Sequence, residues 1–563
     1  MEIIEFIQKL GLKVHDSYID IADVDIDVNK LTPFGTSGFR IKGATIENNE
    51  IKFDRSAILQ EFSYVDAACK ITTKYCDEIG AHRGILICGD GLRPHQKEFL
   101  DIYAAIVSAN GLTPYVQVGN ESITSVGAAH DALSFEEITT VIYRSCSHNP
   151  PHYLGAKMYL NNDPSPVLGT DGKMLFDHMK EILLNKKNIT IDLNFKEKIS
   201  YINAIEYHID QTMKMIDIAM PDLKKTAPKN EKIVVALNGG HKEEIEMLFS
   251  LIGIPKKNIT FIEEKELILN SDPTSKDPKK IDKYFKICRE KNAKILIATD
   301  SDQDRPILYI MKENKLVQLT SNEILNLAMI EIGRNNKNLI PVHTHPTLNA
   351  YQQFLPNPPY ISGVGFLFIS ILFKKLLGVE CDQSRKDEAI ILDHKFRQLS
   401  FDNVSEMRKH QFSIAIEESG GAQLVSKTLK FNSYDKNGLF TLSMIFYAIG
   451  KIGIENVIQA AFDLSKFSDR DSIELKEVSH GQMLVNFLSE RSEFLGLKVT
   501  SIKNSANLPI CSVLQSKDVV IQVRPSGTEP IVRVYYMGTR KIVEEYLQSK
   551  EIVNGLLEIV SRF

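Results

Sequence analysis

Between positions 53 and 76 the apolar residues recur at helical spacing, as at Ile58, Phe62, Val65 and Cys69, and predict a long helix with Asp54 as its N-cap. The short apolar run 85–88 predicts a buried strand ending at Gly89-Asp90-Gly91. A second helix is expected near Pro94, since proline suits a first turn, and further strands at 114–118 and 139–143. This strand–helix alternation favours a mainly parallel sheet covered on both faces. The same grammar restarts at 232–237, before Asn238-Gly239-Gly240, continues at 294–298, and restarts again near 339–343. The last segment differs: runs 519–523 and 531–536 flank a compact turn and predict an α+β domain. Lysine- and asparagine-rich stretches at 185–200 and 222–232 read as surface connections. The most apolar stretches, 361–373 and 439–450, are shorter than a membrane span and read as buried elements.

Length and composition narrow the class. A chain of 563 residues is too long for one core and predicts three or four domains, and 43% hydrophobic with 25% charged residues excludes a disordered, collagen-like or coiled-coil chain. A net charge of −5 leaves no global basic field, so nucleic acid is not an expected partner, and an anionic ligand would need a locally basic pocket. The seven cysteines include no CxxC pair, which argues against a disulfide framework or a thiolate zinc site and fits a reducing compartment. The first residues, MEIIEFIQKLGLKV, carry acids where a secretory signal carries bases. The expectation is a soluble cytoplasmic protein without membrane contact.

Four loops carry candidate chemistry. In Thr299-Asp300-Ser301-Asp302-Gln303-Asp304-Arg305, three alternating carboxylates at the end of a buried strand can converge on one hard divalent cation. An EF-hand is excluded, because its sixth position would be Arg305 and its twelfth Met311; a solvated acidic turn is the bland alternative. Ser145-Cys146-Ser147-His148-Asn149-Pro150-Pro151 follows a predicted strand, where open α/β sheets place ligands, and Ser147 can serve as nucleophile or phosphoryl carrier. Taken alone, a turn whose serine and asparagine bond their own backbone explains that loop better. Lys157 adds a nearby cation able to stabilise transferred charge. Arg524-Pro525-Ser526-Gly527-Thr528-Glu529-Pro530, with Arg533 beyond it, concentrates guanidinium, hydroxyl and backbone N–H donors suited to a phosphate. Glu417 and Ser419, after the apolar run 413–416, can bond sugar hydroxyls, though a helix N-cap explains them equally. His343 and His345 alternate as metal ligands can, but without a third ligand they read as structural.

Taken together, these motifs resemble the α-D-phosphohexomutase superfamily of phosphoglucomutases and phosphomannomutases. The resemblance rests on Gly35-Thr36-Ser37-Gly38-Phe39-Arg40, Ser147-His148-Asn149-Pro150 with Gly155 and Lys157, the Asp300/Asp302/Asp304 loop with Arg305, Glu417-x-Ser419, and the loop 524–530. It implies an α/β fold of four domains around a central cleft, three with mixed, mainly parallel α/β/α sheets and a C-terminal α+β domain. The expected ranges are 1–205, carrying the phosphoserine loop; 206–317, the metal loop; 318–455, the sugar loop; and 456–563, the phosphate loop. It further implies that Ser147 is the phosphoserine and that Mg²⁺ is bound by Ser147, Asp300, Asp302 and Asp304. Arg40, Lys157 and His148 would lie at the catalytic centre. Glu417, Ser419, Arg305, Arg524, Ser526, Gly527, Thr528 and Arg533 would bind substrate, and Asp90 with Arg93 would form an orienting pair. The implied activity interconverts hexose 1-phosphate and hexose 6-phosphate, with hexose 1,6-bisphosphate as intermediate and activator. Small sugar phosphates would be the partners of a monomer or homodimer. The Glu417-Glu418-Ser419 order leans towards glucose. The sequence departs from the family pattern at Ile416, Gly421, Leu367, Ser301, Gln303 and Asn437. A metal-dependent sugar phosphatase and a non-catalytic sugar-phosphate-binding paralogue are the alternatives.

Overall fold

The computed structural model describes residues 3–26, 31, 38–47, 50–119, 122–161, 163–167, 169–262, 272–275, 277–347, 349–381, 383–464, 466–504, 507–526 and 530–563. The chain divides into two compact units: Met1–Gln318 with Phe431–Ser443, and Leu319–Lys430 with Met444–Phe563. Each unit holds two of the four large sheets.

In the first unit, the helix Arg55–Ile79 begins where the Asp54 carboxylate accepts from the Ser56 and Ala57 N–H groups, and it stops at Gly80 in the left-handed region. This is the cap that the sequence predicts. That helix and Gln96–Ala109 pack against a seven-stranded sheet, and Phe62, Val65, Phe99 and Ile106 enter one core with Ile85 and Ile142. The sheet runs in the order Asp163–Pro166, Tyr153–Leu160, Ile138–Arg144, Gly84–Gly89, Thr113–Gln117, Ser200–Ile202, with Phe39–Lys42 also paired to Tyr153–Leu160. Its central pairs are parallel, whereas Tyr153–Leu160 lies antiparallel to Ile138–Arg144. The second sheet repeats this plan: Ile259–Ile262, Ile233–Ala236 and Ile295–Ala298 are parallel, and Ile307–Lys312 returns antiparallel. In both sheets the returning strand directly follows a candidate loop. A short connection of this kind can only join antiparallel neighbours.

The second unit contains a six-stranded sheet centred on Leu339–Thr344, parallel to Tyr360–Ser362 and Phe412–Ile416 and antiparallel at its edges. Its other sheet is antiparallel throughout, in the order Phe467–Glu474, Ile531–Gly538, Val519–Pro525, Pro509–Gln515, Leu497–Lys503, Glu493–Phe494. The chain is thus mixed α/β, with the antiparallel C-terminal sheet that an α+β segment requires.

Two expectations need refinement. The stretch 185–200 is not merely a surface connection, because Ile189, Ile191 and Phe195 are buried in the first core and Ile189–Thr190 pairs with Tyr18–Asp20. Its lysines reach solvent while the apolar residues between them pack inward. Within 222–232, Leu223–Thr226 forms a helical turn with Leu223 buried. The apolar stretches are the helices Phe366–Leu377 and Gly438–Ile452, and among the described residues no single helix is long and apolar enough to cross a membrane.

Candidate active site

Two strands of the first unit deliver the candidate chemistry. Ile138–Arg144 and Ile295–Ala298 are buried along their whole lengths, and each ends in a loop at its carboxyl end, where α/β sheets bind ligands. The first loop carries Ser147 and the second carries Asp300, Asp302 and Asp304.

Ser147 adopts φ +51°, a left-handed conformation that costs a non-glycine residue about 1 kcal/mol and persists only when its surroundings hold it. The bonds that hold it are visible. Its N–H donates to Ser145 Oγ (2.8 Å), and its carbonyl accepts from Arg93 Nη2 (2.9 Å) and Ser301 Oγ (2.7 Å). Arg93 also donates to the carbonyls of Asn149 and Pro150, both at 2.8 Å, so one guanidinium grips three carbonyls of the same loop. Asp90 orients it: Oδ1 accepts from the N–H groups of Leu92 and Arg93, and Oδ2 lies 3.4 Å from Arg93 Nε. The Asp90–Arg93 pair therefore orients the loop, as the resemblance implies.

Ser147 is only 4% exposed, and its hydroxyl lies 3.2 Å from Asp300 Oδ2 and accepts from Arg305 Nη2. Arg305 Nε binds Asp300 Oδ2 (2.6 Å) and Asp304 Oδ1 (3.1 Å). Lys157 Nζ binds Asp302 Oδ2 at 2.8 Å, and both groups are buried. The strand Tyr153–Leu160 places Lys157 opposite Tyr143 and Gly155 opposite Arg40. A Cβ at Gly155 would lie 2.2 Å from the Phe39 carbonyl, so only glycine permits that approach. Arg40 Nη1 donates to Asn149 Oδ1 (3.0 Å), and His148 Nδ1 lies 3.6 Å from Asp272 Oδ2.

The electrostatics show what the carboxylates can do. Burial pushes Asp300 well above its usual range, with Arg305 opposing and Asp304 and Asp302 reinforcing the rise. Burial acts on Asp302 too, but Lys157 and Arg305 outweigh it and hold that carboxyl well below its usual range. Lys157 is disfavoured by burial, yet Asp302 and Asp304 raise its pKa and keep it charged. Burial, together with the charges of Arg305 and Arg40, lowers His148 to about 3, so its imidazole is neutral at pH 7. The three carboxylates each offer an oxygen within 4.8 Å of the others, and among the described residues Asp302 Oδ1 is buried without a hydrogen-bond partner. A hard divalent cation fits this donor set: it would use the idle oxygen and offset the repulsion by Asp304 and Asp302 that adds to the effect of burial on Asp300.

The second unit holds the remaining candidates. Glu417 follows the buried strand Phe412–Ile416 and accepts from Ser419 Oγ at 2.6 Å. Arg524 and Arg533 stand directly opposite each other in the antiparallel pair Val519–Pro525/Ile531–Gly538. Like charges in that relation repel unless an anion lies between them. Ser526 N–H closes the turn onto the Ile531 carbonyl (2.8 Å), while Gly527 and Thr528, like Gly35, Thr36 and Ser37, lie outside the described residues. His343 and His345 are buried; His343 Nδ1 bonds the Thr344 carbonyl oxygen and His345 Nδ1 bonds Gln522, and no metal cluster includes them among the described residues. Asn437 caps the helix Gly438–Ile452 by accepting from Phe440 N–H (2.8 Å), and Leu367 is buried in the helix Phe366–Leu377.

Sequence reading missed three contributors. Lys436 Nζ stands 3.8 Å from Asp304 Oδ2, Asp272 faces His148, and Arg470 shares a sheet face with Arg524 and Arg533. The charges of Glu418, Arg524, Arg533 and Arg470 all act on the buried Tyr535 phenol. The alternation of Arg470 with Ser472 was a usable signal, since strand residues two apart face the same way. Nothing local marks Lys436 or Asp272.

Comparison with known proteins bears on these features. Residues 34–182 match the family described as phosphoglucomutase/phosphomannomutase, alpha/beta/alpha domain I. No curated protein matches the chain. Among solved structures, pp63/parafusin (phosphoglucomutase) from Paramecium in its open form is 16% identical with a TM-score of 0.64, covering 97% of each chain. A phosphoglucomutase/phosphomannomutase family protein from Burkholderia thailandensis is 16% identical with a TM-score of 0.61, covering 93% of this chain and 97% of that one. At such identities the structures establish a shared fold, and the sequence match covers the domain that bears Arg40, Ser147 and Lys157. Residues 34–182 thus match the first domain of the phosphoglucomutase/phosphomannomutase family, and the chain as a whole shares the fold of these solved structures.

Proposed function

We propose that the chain is a phosphohexomutase that interconverts a hexose 1-phosphate and its 6-phosphate, with glucose favoured over mannose. Ser147 carries the phosphoryl group, and a hexose 1,6-bisphosphate is intermediate and activator. One observation carries this reading: the Ser147 hydroxyl is buried within hydrogen-bond reach of Asp300 and Arg305, beside a compact set of carboxylates.

Mg²⁺ is the cation this donor set fits, held by Asp300, Asp302, Asp304 and an oxygen on Ser147; bound there, it supplies Lewis-acid neutralisation of phosphoryl charge. The chain's own residues supply the rest. Phosphoryl transfer depends mainly on in-line positioning and on neutralising charge spread over three oxygens. Arg305 already bonds Ser147 Oγ, so it can stabilise that oxygen as it is released, and Lys157 adds a second buried positive charge. Arg93 and Ser301 hold the Ser147 backbone while its side chain reacts. In the first half-reaction the bond from phosphorus to Oγ breaks and a bond to the sugar hydroxyl oxygen forms, with the hydroxyl's proton passing overall to the released Oγ. The bisphosphate must then turn end for end, so the chain needs a grip that accepts a phosphate from either end. Arg524, Ser526, Gly527, Thr528 and Arg533 are assigned that grip, and Glu417 and Ser419 the sugar hydroxyls. The order Glu417-Glu418-Ser419 supports glucose, and seven free cysteines support a cytoplasmic, reducing setting.

Incubation with glucose 1-phosphate, Mg²⁺ and a trace of glucose 1,6-bisphosphate, followed by ³¹P NMR, tests the reading. The expected product is glucose 6-phosphate. Release of free phosphate instead would identify a sugar phosphatase. Intact-mass measurement should find one phosphate on the protein, absent from Ser147→Ala; no product and no phosphate would leave a non-catalytic binding protein.

A further inference from the structure

The metal loop alternates its carboxylates with Ser301 and Gln303, and neither residue is needed to bind a cation. Both are buried, at 1% and 3% exposure, so their side chains are committed to the protein. Ser301 Oγ lies 2.7 Å from the Ser147 carbonyl and 2.9 Å from Asp90 Oδ2, with one proton to share between two acceptors. With Arg93 it fills both lone pairs of that carbonyl. Gln303 sits in the left-handed region at φ +58°, where a glycine would rest without strain, and its Oε1 accepts from the N–H of His241. Its backbone and side chain are both closely packed: a Cβ on Gly438 would fall 1.8 Å from the Gln303 carbonyl, and one on Gly240 would fall 2.8 Å from Gln303 Oε1. The loop is thus tied at one non-carboxylate position to the Ser147 loop and at the other to the start of the helix Lys242–Ile252.

We propose that Ser301 is a positioning residue for phosphoryl transfer: its hydroxyl pins the backbone of Ser147 to the carboxylate loop, with Gln303 anchoring that loop's other side. This inference rests on the reading of Ser147 as phosphoryl carrier. Ser301 touches no reacting atom. Its role is to keep the carrier oxygen and the carboxylates at one separation while the sugar leaves and returns. The left-handed conformation of Ser147 makes this necessary, because a serine released from its carbonyl bonds relaxes out of that conformation and carries its hydroxyl away. A glycine at 301 would leave the two loops joined chiefly through side chains that also take part in the chemistry.

The test compares Ser301→Ala, Ser301→Gly and Ser301→Thr in the full chain. Ser301→Ala and Ser301→Gly should lower kcat about tenfold while KM for glucose 1-phosphate stays within twofold, and Ser301→Thr, which keeps the hydroxyl, should recover at least half of the loss. Without substrate, backbone hydrogen exchange in the segment 145–151 should quicken about tenfold in Ser301→Ala and Ser301→Gly. At the other anchor, Gln303→Asn tolerates the left-handed backbone better than glutamine but is one methylene too short to reach His241. Its kcat should therefore fall, whereas a purely conformational role would leave it unchanged or raised. Unchanged kcat and unchanged exchange in Ser301→Ala and Ser301→Gly would overturn the proposal, as would a rise in KM without a fall in kcat. If the unaltered chain lacks mutase activity but exchange still quickens in the variants, the functional reading fails while the pinning of Ser147 stands.

Discussion

A serine held at φ +51° needs more than its own preferences to stay there, and Ser147 receives that support from Ser145, Arg93 and Ser301. Its hydroxyl is then free for Asp300 and Arg305. The residue scale also separates groups that tune charge from groups that grip. Asp302→Asn keeps the shape of the side chain but removes the charge paired with the buried Lys157. Turnover should fall about 100-fold or more, with a raised Mg²⁺ requirement, as measured by steady-state kinetics over a Mg²⁺ series. Arg524→Ala has a different signature. It removes one of two facing guanidiniums, so KM should rise with a smaller change in kcat. An unchanged KM would remove Arg524 from the phosphate grip. Ser147 and the three aspartates were legible in sequence because each set lies within one short loop. Arg93 was legible only as half of a pair, since its acceptors lie more than fifty residues along the chain.

At the scale of elements, the short helix Val126–Asp131 links the two sheets of the first unit. Its first N–H, from Val126, donates to the Asp302 carbonyl (3.0 Å), and the preceding Ser125 N–H donates to Glu244 Oε1 (2.8 Å). The helix ends at Asp131, whose carboxylate meets His208 Nδ1 at 2.7 Å on the buried face of the helix Ala204–Ala219. Burial would lower the His208 pKa, but the hydrogen bond and charge of Asp131, with Glu244 beyond, outweigh it and raise the pKa above 6.5. The sign follows from linkage: the folded protein holds this proton to higher pH than the unfolded chain does. Stability from the pair is complete below about pH 6.5 and is lost as pH rises through the folded-state pKa. Urea midpoints measured from pH 6 to pH 9 should therefore fall, and the fall should be shallower in His208→Gln. The elements themselves were largely readable. Asp54 caps its helix as predicted, the predicted strand 85–88 is extended by one residue at each end, and that at 294–298 is trimmed by one. The antiparallel return strands were not readable, because strand direction depends on connection geometry rather than on apolar pattern.

At the scale of the molecule, the chain is not laid out in simple order. Phe431–Ser443 belongs with the first 318 residues although both its flanks belong to the second unit. Three hydrogen bonds explain why: Asp435 accepts from Tyr159 Oη (3.0 Å), Ser433 bonds His130 Nδ1 (2.9 Å), and Asn437 donates to Thr212 Oγ1 (3.0 Å). A fragment of residues 1–318 would leave Tyr159, His130 and Thr212, all buried in the full chain, without these partners. Buried polar groups stripped of their bonds cost about 1–3 kcal/mol each. That fragment should melt below the first transition of the full chain in calorimetry, and an equal midpoint would show that the inserted segment contributes nothing. Local sequence determined the helices, the buried strands, and the loops with their serine and carboxylates, since periodicity and short spacing are properties of neighbouring residues. Tertiary structure alone decided that Arg305 bonds Ser147, that Lys157 pairs with Asp302, that Arg524 faces Arg533, and that Lys436 comes back to Asp304. Each of those pairs joins residues from separate turns or strands, and only the packing of the intervening chain brings their charges together.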